Sequence, residues 1–300
     1  MGAVSRDIPT SSLTLDAGYL PGPGPIRLGS DAHKNLFCHT LLATFDPYRP
    51  ALMEWPRLSA DTRRKIISLP IWDIAVQTEG KASLRVAAYG AKVGDPLLKQ
   101  AIELNAYEEK RHKHVLHSMV EAYGITLAPE PDYVAPRDPE WAFMVTGYSE
   151  CIDSFFAFGL FELAKRSGFF PTALVDTFEP VMREEGRHIL FFVNWVAWHR
   201  RNMPLWRRPW FMLKIMAVWA FLIYERISLG NNLASGQDNN FTVTGAKGLG
   251  VEVSLRELME LCLAENDRRL SEYDPRLLRP RLVPRVIRLW QRVLRVVSKG

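Results

Sequence analysis

The fold of this 300-residue chain is decided by a short motif that occurs twice, as EEKRH at residues 108–112 and as EEGRH at residues 184–188. In each copy a glutamate and a histidine stand three residues apart, and this spacing places both side chains on one face of an α-helix. In both copies that face is the apolar stripe of its helix, where a core normally has leucine. The motif therefore predicts two related helices that bury the same charged pair.

Helical periodicity continues on both sides of each motif. Asp95 caps the helix that carries the first copy, and a turn near Phe169 precedes the helix that carries the second. No stretch alternates with a period of two between turn signals, so strands are not expected. We predict an all-α fold in which two long hairpins form a four-helix bundle over residues 59–203. The four predicted helices cover residues 71–93, 97–123, 140–166 and 172–200.

Burial of these charged groups requires a compensating partner. An unpaired carboxylate or imidazolium inside a protein costs several kcal/mol. A divalent iron or manganese ion would supply the opposite charge, and carboxylate and imidazole are ligands that suit it. The repeated motif therefore points to a buried metal site.

The paired motif resembles that of the ferritin-like di-iron carboxylate superfamily, in which two helices each give Glu-x-x-His and two others each give one glutamate. The resemblance covers residues 70–200 and implies a ferritin-like four-helix bundle. Residues equally far from the turn of a hairpin lie side by side, which selects Glu79 and Glu150 as the remaining glutamates. Glu162 is too close to its turn to reach that depth. The implied metal ligands are Glu79, Glu109, His112, Glu150, Glu185 and His188.

Several residues beside these ligands have roles that the sequence leaves open. Asp153, one turn after Glu150, is either a further ligand or a supporting neighbour. Glu108 and Glu184 point about 100° away from the ligand stripe. They are either surface acids or, by resemblance, hydrogen-bond acceptors for the histidine of the opposite motif. We expect surface or rim positions for His114, His117 and His199, core positions for Trp195, Trp198, Trp210 and Trp219, and either core packing or electron relay for Tyr107 and Tyr148.

The ends of the chain differ in character from its centre. Residues 1–58, with the run PGPGP at 21–25, predict an irregular arm, after which Ser59 or Asp61 caps a short helix. Residues 204–300 predict additional helices. In order, these residues predict a very apolar helix over 205–229, a polar loop over 230–250, a helix capped by Ser254 and Glu257, and a basic amphipathic helix over 284–297.

The formal net charge of +5 arises in the C-terminal tail. Residues 276–300 hold seven arginines, one lysine and no acidic residue, which leaves −3 for the rest of the chain. Such a helix suits contact with an anionic membrane surface, and it equally suits packing of its apolar face onto the domain. Nucleic acid is the weaker interpretation, because Trp290 is the only aromatic residue in the tail.

Composition narrows the class of protein further. A hydrophobic content of 47% and a charged content of 24% argue against disorder throughout. Three distant cysteines without a CxxC pair argue against a disulfide framework, a rubredoxin-type iron site and a zinc ribbon. The N-terminus does not read as a signal peptide, and the longest apolar run, at 210–224, is shorter than the roughly 20 residues of a spanning helix. The expected location is the cytoplasm, with peripheral membrane contact through the tail.

The resemblance also implies a cofactor and a class of reaction. The cofactor is two iron ions, with a manganese–iron pair as the alternative, and the partners are dioxygen, a small organic substrate and an external electron donor. About 100 residues beyond the bundle and the very apolar added helices favour an oxygen-dependent oxidase or oxygenase with an apolar substrate. The alternatives are a non-catalytic or ferroxidase-type iron-binding protein and a tRNA-modifying di-iron hydroxylase, since superfamily members differ in activity.

Overall fold

The computed structural model describes residues 22–69, 71–168, 170–232 and 254–297. Within these ranges all regular structure is helical, with ten α-helices and two short 3₁₀ turns at Pro50–Leu52 and Leu205–Arg207. The all-α class is therefore confirmed for this part of the chain. In chain order the helices are α1 Asp31–Ala43, α2 Ala60–Ile67, α3 Trp72–Gly90, α4 Pro96–Tyr123, α5 Pro139–Ser167, α6 Thr172–Thr177, α7 Glu179–Asn202, α8 Arg208–Asn232, α9 Leu255–Ser271 and α10 Leu282–Val297.

The two longest helices begin and end at residues suited to those positions. The Asp95 carboxylate caps α4 by accepting a hydrogen bond of 2.9 Å from the backbone of Leu98. Asp138 caps α5 in the same way. Gly124 and Gly168 end these helices with φ of 66° and 64°, a left-handed conformation that glycine adopts without steric cost. Local sequence therefore fixes the lengths of the helices that carry the site.

Four long helices, α3, α4, α5 and α7, surround the charged motif residues. α3 packs along α4 and α5 along α7, while α3 also contacts α5 and α4 contacts α7. Beyond the motif, toward the C-terminal end of α7, the interior is aromatic. The ring centroid of Trp195 lies at 5.3 Å from that of Tyr89 and at 4.8 Å from that of Phe143. α1 covers α4 and α7, whereas α8 and α9 cover α5.

The expectation of an irregular N-terminal arm is wrong for α1. Ser30 caps this helix by accepting a hydrogen bond of 3.2 Å from the backbone of His33. Leu36, Phe37 and Leu41 are buried in the main apolar core, and α1 contacts α4 and α7. The segment is helical because it has distant apolar partners, which its proline- and glycine-rich surroundings in the sequence do not reveal.

The predicted fourth helix is divided into α6 and α7. The interruption falls at Phe178, and Pro180 occupies the first turn of α7. Proline has no backbone N–H and its ring would clash with the preceding turn, so a helix can begin at Pro180 but cannot pass through it unbroken. The motif lies wholly within α7, and the interruption does not alter its face.

The remaining predictions concern the short helices and the tail. Ser59 caps α2, and Ser254 with Glu257 forms the capping box of α9, as expected. The predicted very apolar helix is present as α8, and the basic helix is present as α10. No helix among the described residues is long and apolar enough to cross a membrane. Residues 230–232 of the loop predicted over 230–250 are instead the last residues of α8. The rest of that loop, the predicted turn residue Phe169 and the arm before residue 22 lie outside the described residues.

Candidate metal centre

The six predicted ligands meet at the centre of the four long helices. They form two groups, within each of which the ligand atoms lie no more than 4.8 Å from one another, and each group can hold a metal ion. Glu109 belongs to both groups and so joins them. The first group comprises Glu79 of α3, Glu109 and His112 of α4, and Glu185 of α7; the second comprises Glu109, Glu150 of α5, and His188 of α7.

Each histidine is oriented by a glutamate from the other motif. His112 Nε2 lies 2.8 Å from a carboxylate oxygen of Glu184, and His188 Nε2 lies 2.8 Å from one of Glu108. Because an ionised carboxylate only accepts, Nε2 of each ring donates to it, which leaves Nδ1 as the nitrogen that a metal ion could bind. The crossed pairs therefore point both Nδ1 atoms toward the ligand carboxylates. Of the two roles left open for Glu108 and Glu184, the structure has the buried acceptor role.

Two arginines complete this supporting layer. Arg187 donates to Glu108 at 2.8 Å, and Arg111 donates to Glu184. All four of these side chains are at most 3% exposed. Each buried carboxylate thus pairs with an arginine and a histidine, which offsets the cost of removing its charge from water.

The last turn of α1 and the segment that follows it hold both arginines in place. The carbonyl of Leu41 accepts a hydrogen bond of 3.0 Å from Arg187, and that of Asp46 accepts one of 2.6 Å from Arg111. Tyr48 donates to Glu184 at 3.2 Å, and its ring centroid lies 4.0 Å from the guanidinium carbon of Arg111. Sequence reasoning missed these contributions. The only local signal was the arginine that directly precedes each motif histidine.

Several ligand atoms of the site have no hydrogen-bond partner among the described residues. They are buried and comprise Glu109 Oε1, His112 Nδ1, Glu150 Oε1 and His188 Nδ1. Nδ1 of His188 lies only 2.7 Å from Oε1 of Glu109, but this contact does not have hydrogen-bond geometry. Buried polar atoms are normally satisfied, so four unsatisfied atoms that belong to these two ligand groups fit bound cations.

Protonation of the metal-free cluster follows from burial and from the close approach of the carboxylates. Burial raises the pKa of Glu79 to about 8, and burial with neighbouring carboxylates raises the pKa of Glu150 well above its usual value. Burial alone would lower the pKa of His112 and His188, but the surrounding carboxylates raise it well above the usual value. Without a metal ion the cluster therefore holds protons at atoms that a metal ion would need as ligands.

The accessible surface of the site belongs to its carboxylates. The side chains of Glu79 and Glu185 are 21% and 13% exposed, whereas those of His112 and His188 are 1% and 0% exposed. Ser154 donates to Glu185 at 2.9 Å and fixes one of its oxygens. The histidine side is closed, and the solvent-accessible surface of the site lies on the carboxylate side.

Other residues considered from the sequence lie outside the ligand groups. Asp153 pairs with Arg226 of α8 at 2.9 Å, so it ties α8 to α5 one turn from Glu150. Glu162 pairs with Arg166 at 2.5 Å. His114 is exposed, and His117 and His199 pair with Glu130 and Glu140 near the surface.

Of the four tryptophans expected in the core, Trp195 is fully buried, and Trp198 and Trp219 are partly buried. Trp210 is 69% exposed, so the core position expected for it is wrong.

Tyr107 and Tyr148 both pack among aromatic or cationic side chains. The ring of Tyr107 lies 5.5 Å from the guanidinium carbon of Arg111. The ring of Tyr148 lies 4.8 Å from that of Phe192 and 5.0 Å from that of Trp219. The packing role is present for both, and electron relay stays a prediction.

No protein-family model, curated protein or solved structure matches this chain.

Proposed function

We propose that the chain is a ferritin-like di-iron protein that acts as an oxygen-dependent oxidase or oxygenase on a small, apolar organic substrate. The observation that carries the proposal is the pair of crossed Glu–His hydrogen bonds, which occupy both Nε2 atoms and aim the two Nδ1 atoms at four carboxylates. Four helices that each supply a glutamate, two of them with a histidine three residues later, support a ferritin-like bundle.

Charge balance supports two divalent ions. The four ligand carboxylates carry a formal charge of −4, which two divalent ions neutralise. Glu108 and Glu184 need no metal charge, because Arg111 and Arg187 already compensate them. One ion alone would leave a buried excess of negative charge, which is costly in a medium of low dielectric constant.

The chain's own residues would hold the metal ions and orient the ligands around them. When bound, a ferrous pair supplies electrons for the reduction of dioxygen. The crossed pairs keep each imidazole in one tautomer, and their carboxylates raise its basicity as a ligand. The closed histidine side excludes water, and a substrate would approach on the side where Glu79 and Glu185 retain accessible surface.

The helices outside the bundle favour an organic substrate over iron storage. α8 and α9 cover α5, which carries Glu150, and storage of iron does not require such a covering. The three cysteines are buried and unpaired, so they form no rubredoxin-like site for electron delivery. The electron donor would therefore be an external reductase or the substrate itself.

The test is anaerobic loading of the full chain with ferrous iron, followed by rapid mixing with dioxygen and a panel of apolar substrates. We expect rapid optical changes, and transfer of oxygen or removal of hydrogen in at least one substrate, with neither in Glu150→Ala. Iron oxidation that deposits mineral without any organic product would instead indicate a ferroxidase. Bound iron that does not react with dioxygen would indicate a non-catalytic site.

A further inference from the structure

The outer face of α8 is apolar and has no covering element among the described residues. Along Trp210–Tyr224 the large apolar side chains on this face are between 36% and 71% exposed. Lys214, the only charged residue in this stretch, turns inward to pair with Asp138 and Glu140 at 2.8 and 2.7 Å. The face is therefore uncharged for about 22 Å at 1.5 Å per residue. Its large exposed members are Trp210, Met212, Leu213, Met216, Phe221, Ile223 and Tyr224.

Exposed tryptophans and arginines cluster at the N-terminal end of this face. Trp206 in the preceding 3₁₀ turn is 70% exposed, and Trp210 is 69% exposed. Arg207 is also exposed, and its guanidinium carbon lies 5.5 Å from the ring of Trp206. Tryptophan with arginine at the edge of an apolar face is typical of the boundary between lipid headgroups and acyl chains.

A second exposed apolar stripe runs along α10. Leu282, Val286, Leu289 and Val293 are 50–61% exposed and recur at steps of four, three and four. The side of α10 that packs onto the protein is a different one and includes Pro284 and Gln291. The apolar stripe is therefore not used to fix the helix to the domain, which was one of the roles expected for it.

An arginine precedes each member of the α10 stripe, and these arginines form a parallel stripe beside it. Arg288 pairs with Asp267, whereas the side chains of Arg281, Arg285 and Arg292 form no ion pair with any described residue. A cavity of about 450 Å³ between α9 and α10 is lined in part by Arg281 and Arg285. This helix thus presents apolar side chains next to uncompensated positive charge.

We propose that α8 and α10 bind the chain to the surface of an anionic lipid bilayer, with their exposed apolar side chains inserted among the acyl chains. Charge complementarity selects this occupant, because the arginine stripe of α10 and the arginines at the start of α8 would meet lipid phosphate. Two copies of the chain joined through α10 would instead bring their arginine stripes together. The inference does not depend on the metal centre, since no predicted ligand lies on either helix.

The test is co-sedimentation of the full chain with vesicles of phosphatidylcholine alone or of phosphatidylcholine mixed with anionic phosphatidylglycerol. We expect binding to the anionic vesicles at low salt and release at high salt. Arg281→Gln, Arg285→Gln and Arg292→Gln together should weaken binding about 100-fold, because each basic residue contributes about 1 kcal/mol and 1.4 kcal/mol is tenfold. Met216→Glu with Ile223→Glu should weaken binding at least tenfold.

Val134→Glu is the matched control, because Val134 is 84% exposed but lies on neither helix. The control should bind vesicles as the unchanged chain does, and all variants should keep their metal content and helical spectrum. Equal binding to neutral vesicles, equal weakening by Val134→Glu, or no vesicle binding would overturn the proposal. Tight RNA binding without vesicle binding, or a dimer in solution that Met216→Glu dissociates, would assign these faces to other partners and would overturn it too.

Discussion

His188 of the second motif donates a hydrogen bond of 2.8 Å to Glu108 of the first. His112 of the first motif donates the equivalent bond, also of 2.8 Å, to Glu184 of the second. Each motif therefore supplies the group that orients the other motif's histidine. The site depends on the relative position of α4 and α7, and neither helix can set the direction of its own imidazole.

Removal of Glu108 should harm both folding and metal binding. Glu108→Ala leaves the guanidinium of Arg187 and the imidazole of His188 without their partner, and we expect a loss of about 3–5 kcal/mol in the free energy of unfolding. Glu108→Gln retains an acceptor but removes the charge, and it should weaken metal affinity about 10–100-fold. Urea unfolding and metal titration measure the two effects. Glu103→Gln, at an exposed position of α4, should change neither quantity.

Metal stoichiometry should distinguish ligands from neighbouring acids. We expect two ions in each chain, about 3.5–4 Å apart. His112→Ala, Glu185→Ala and Glu150→Ala should each lose at least one ion. Glu162→Ala should retain both, because Glu162 pairs with Arg166 on the outer side of α5. Elemental analysis of the iron-loaded variants makes the comparison, and a Glu162 variant without iron beside a loaded Glu150 variant would contradict the assignment.

The metal-free protein should lose stability as the pH rises. The pKa of Glu79 is raised from 4.5 to about 8, so the folded state keeps a proton that the unfolded chain releases. The associated stability is complete below pH 4.5 and is lost as the pH rises through about 8. The raised pKa values of Glu150, His112 and His188 have the same sign. Thermal melts in a chelator at pH 6 and pH 9 should show the lower midpoint at pH 9, with a smaller decrease in Glu79→Gln.

Bound metal should reverse this pH dependence, because it requires deprotonated ligands and displaces the retained protons. A metal-free midpoint that increased between pH 6 and pH 9 would contradict the charge states inferred for the cluster.

Gly159 should be intolerant of a side chain. A Cβ atom at this position of α5 would lie 2.3 Å from Sγ and 2.8 Å from Cα of Cys262 on α9. Gly159→Ala must push α9 away from α5, and we expect a cost of about 1–3 kcal/mol in urea unfolding. Gly94→Ala, where no atom lies within 4 Å, should change stability by less than about 1 kcal/mol. Equal stabilities of the two variants would contradict this expectation, because they would mean that α9 moves away from α5 at little cost in free energy.

The ligand positions could be predicted because they depend on local periodicity and on hairpin symmetry. The three-residue spacing of Glu109 and His112 fixes a common helix face, and the caps at Asp95 and Gly124 fix the length of the helix. Glu79 and Glu150 follow from equal depth in each hairpin. The interruption at Phe178 also had a local signal in Pro180, which the continuous apolar stripe outweighed.

The roles of α1, Arg111 and Arg187 could not be predicted, since their partners are distant in sequence. The carbonyl of Leu41 and its donor Arg187 are 146 residues apart, and Tyr48 and Glu184 are 136 apart. No periodicity within a helix reports such contacts. The exposure of Trp210 could not be predicted for a related reason. An apolar helix has the same sequence pattern whether its apolar face contacts protein or another medium.

The distance along the chain between Leu41 and Arg187 also sets an order of events during synthesis. α1 leaves the ribosome early, but the side chain that ties it to the site is made only with α7. We expect the nascent chain to carry α4 with Glu108 and Arg111 lacking their α7 partners until then, a state in which long-range contacts are still unmade. Metal acquisition would follow the translation of α7, so the cell would have to keep the half-made site free of misplaced ions during that interval.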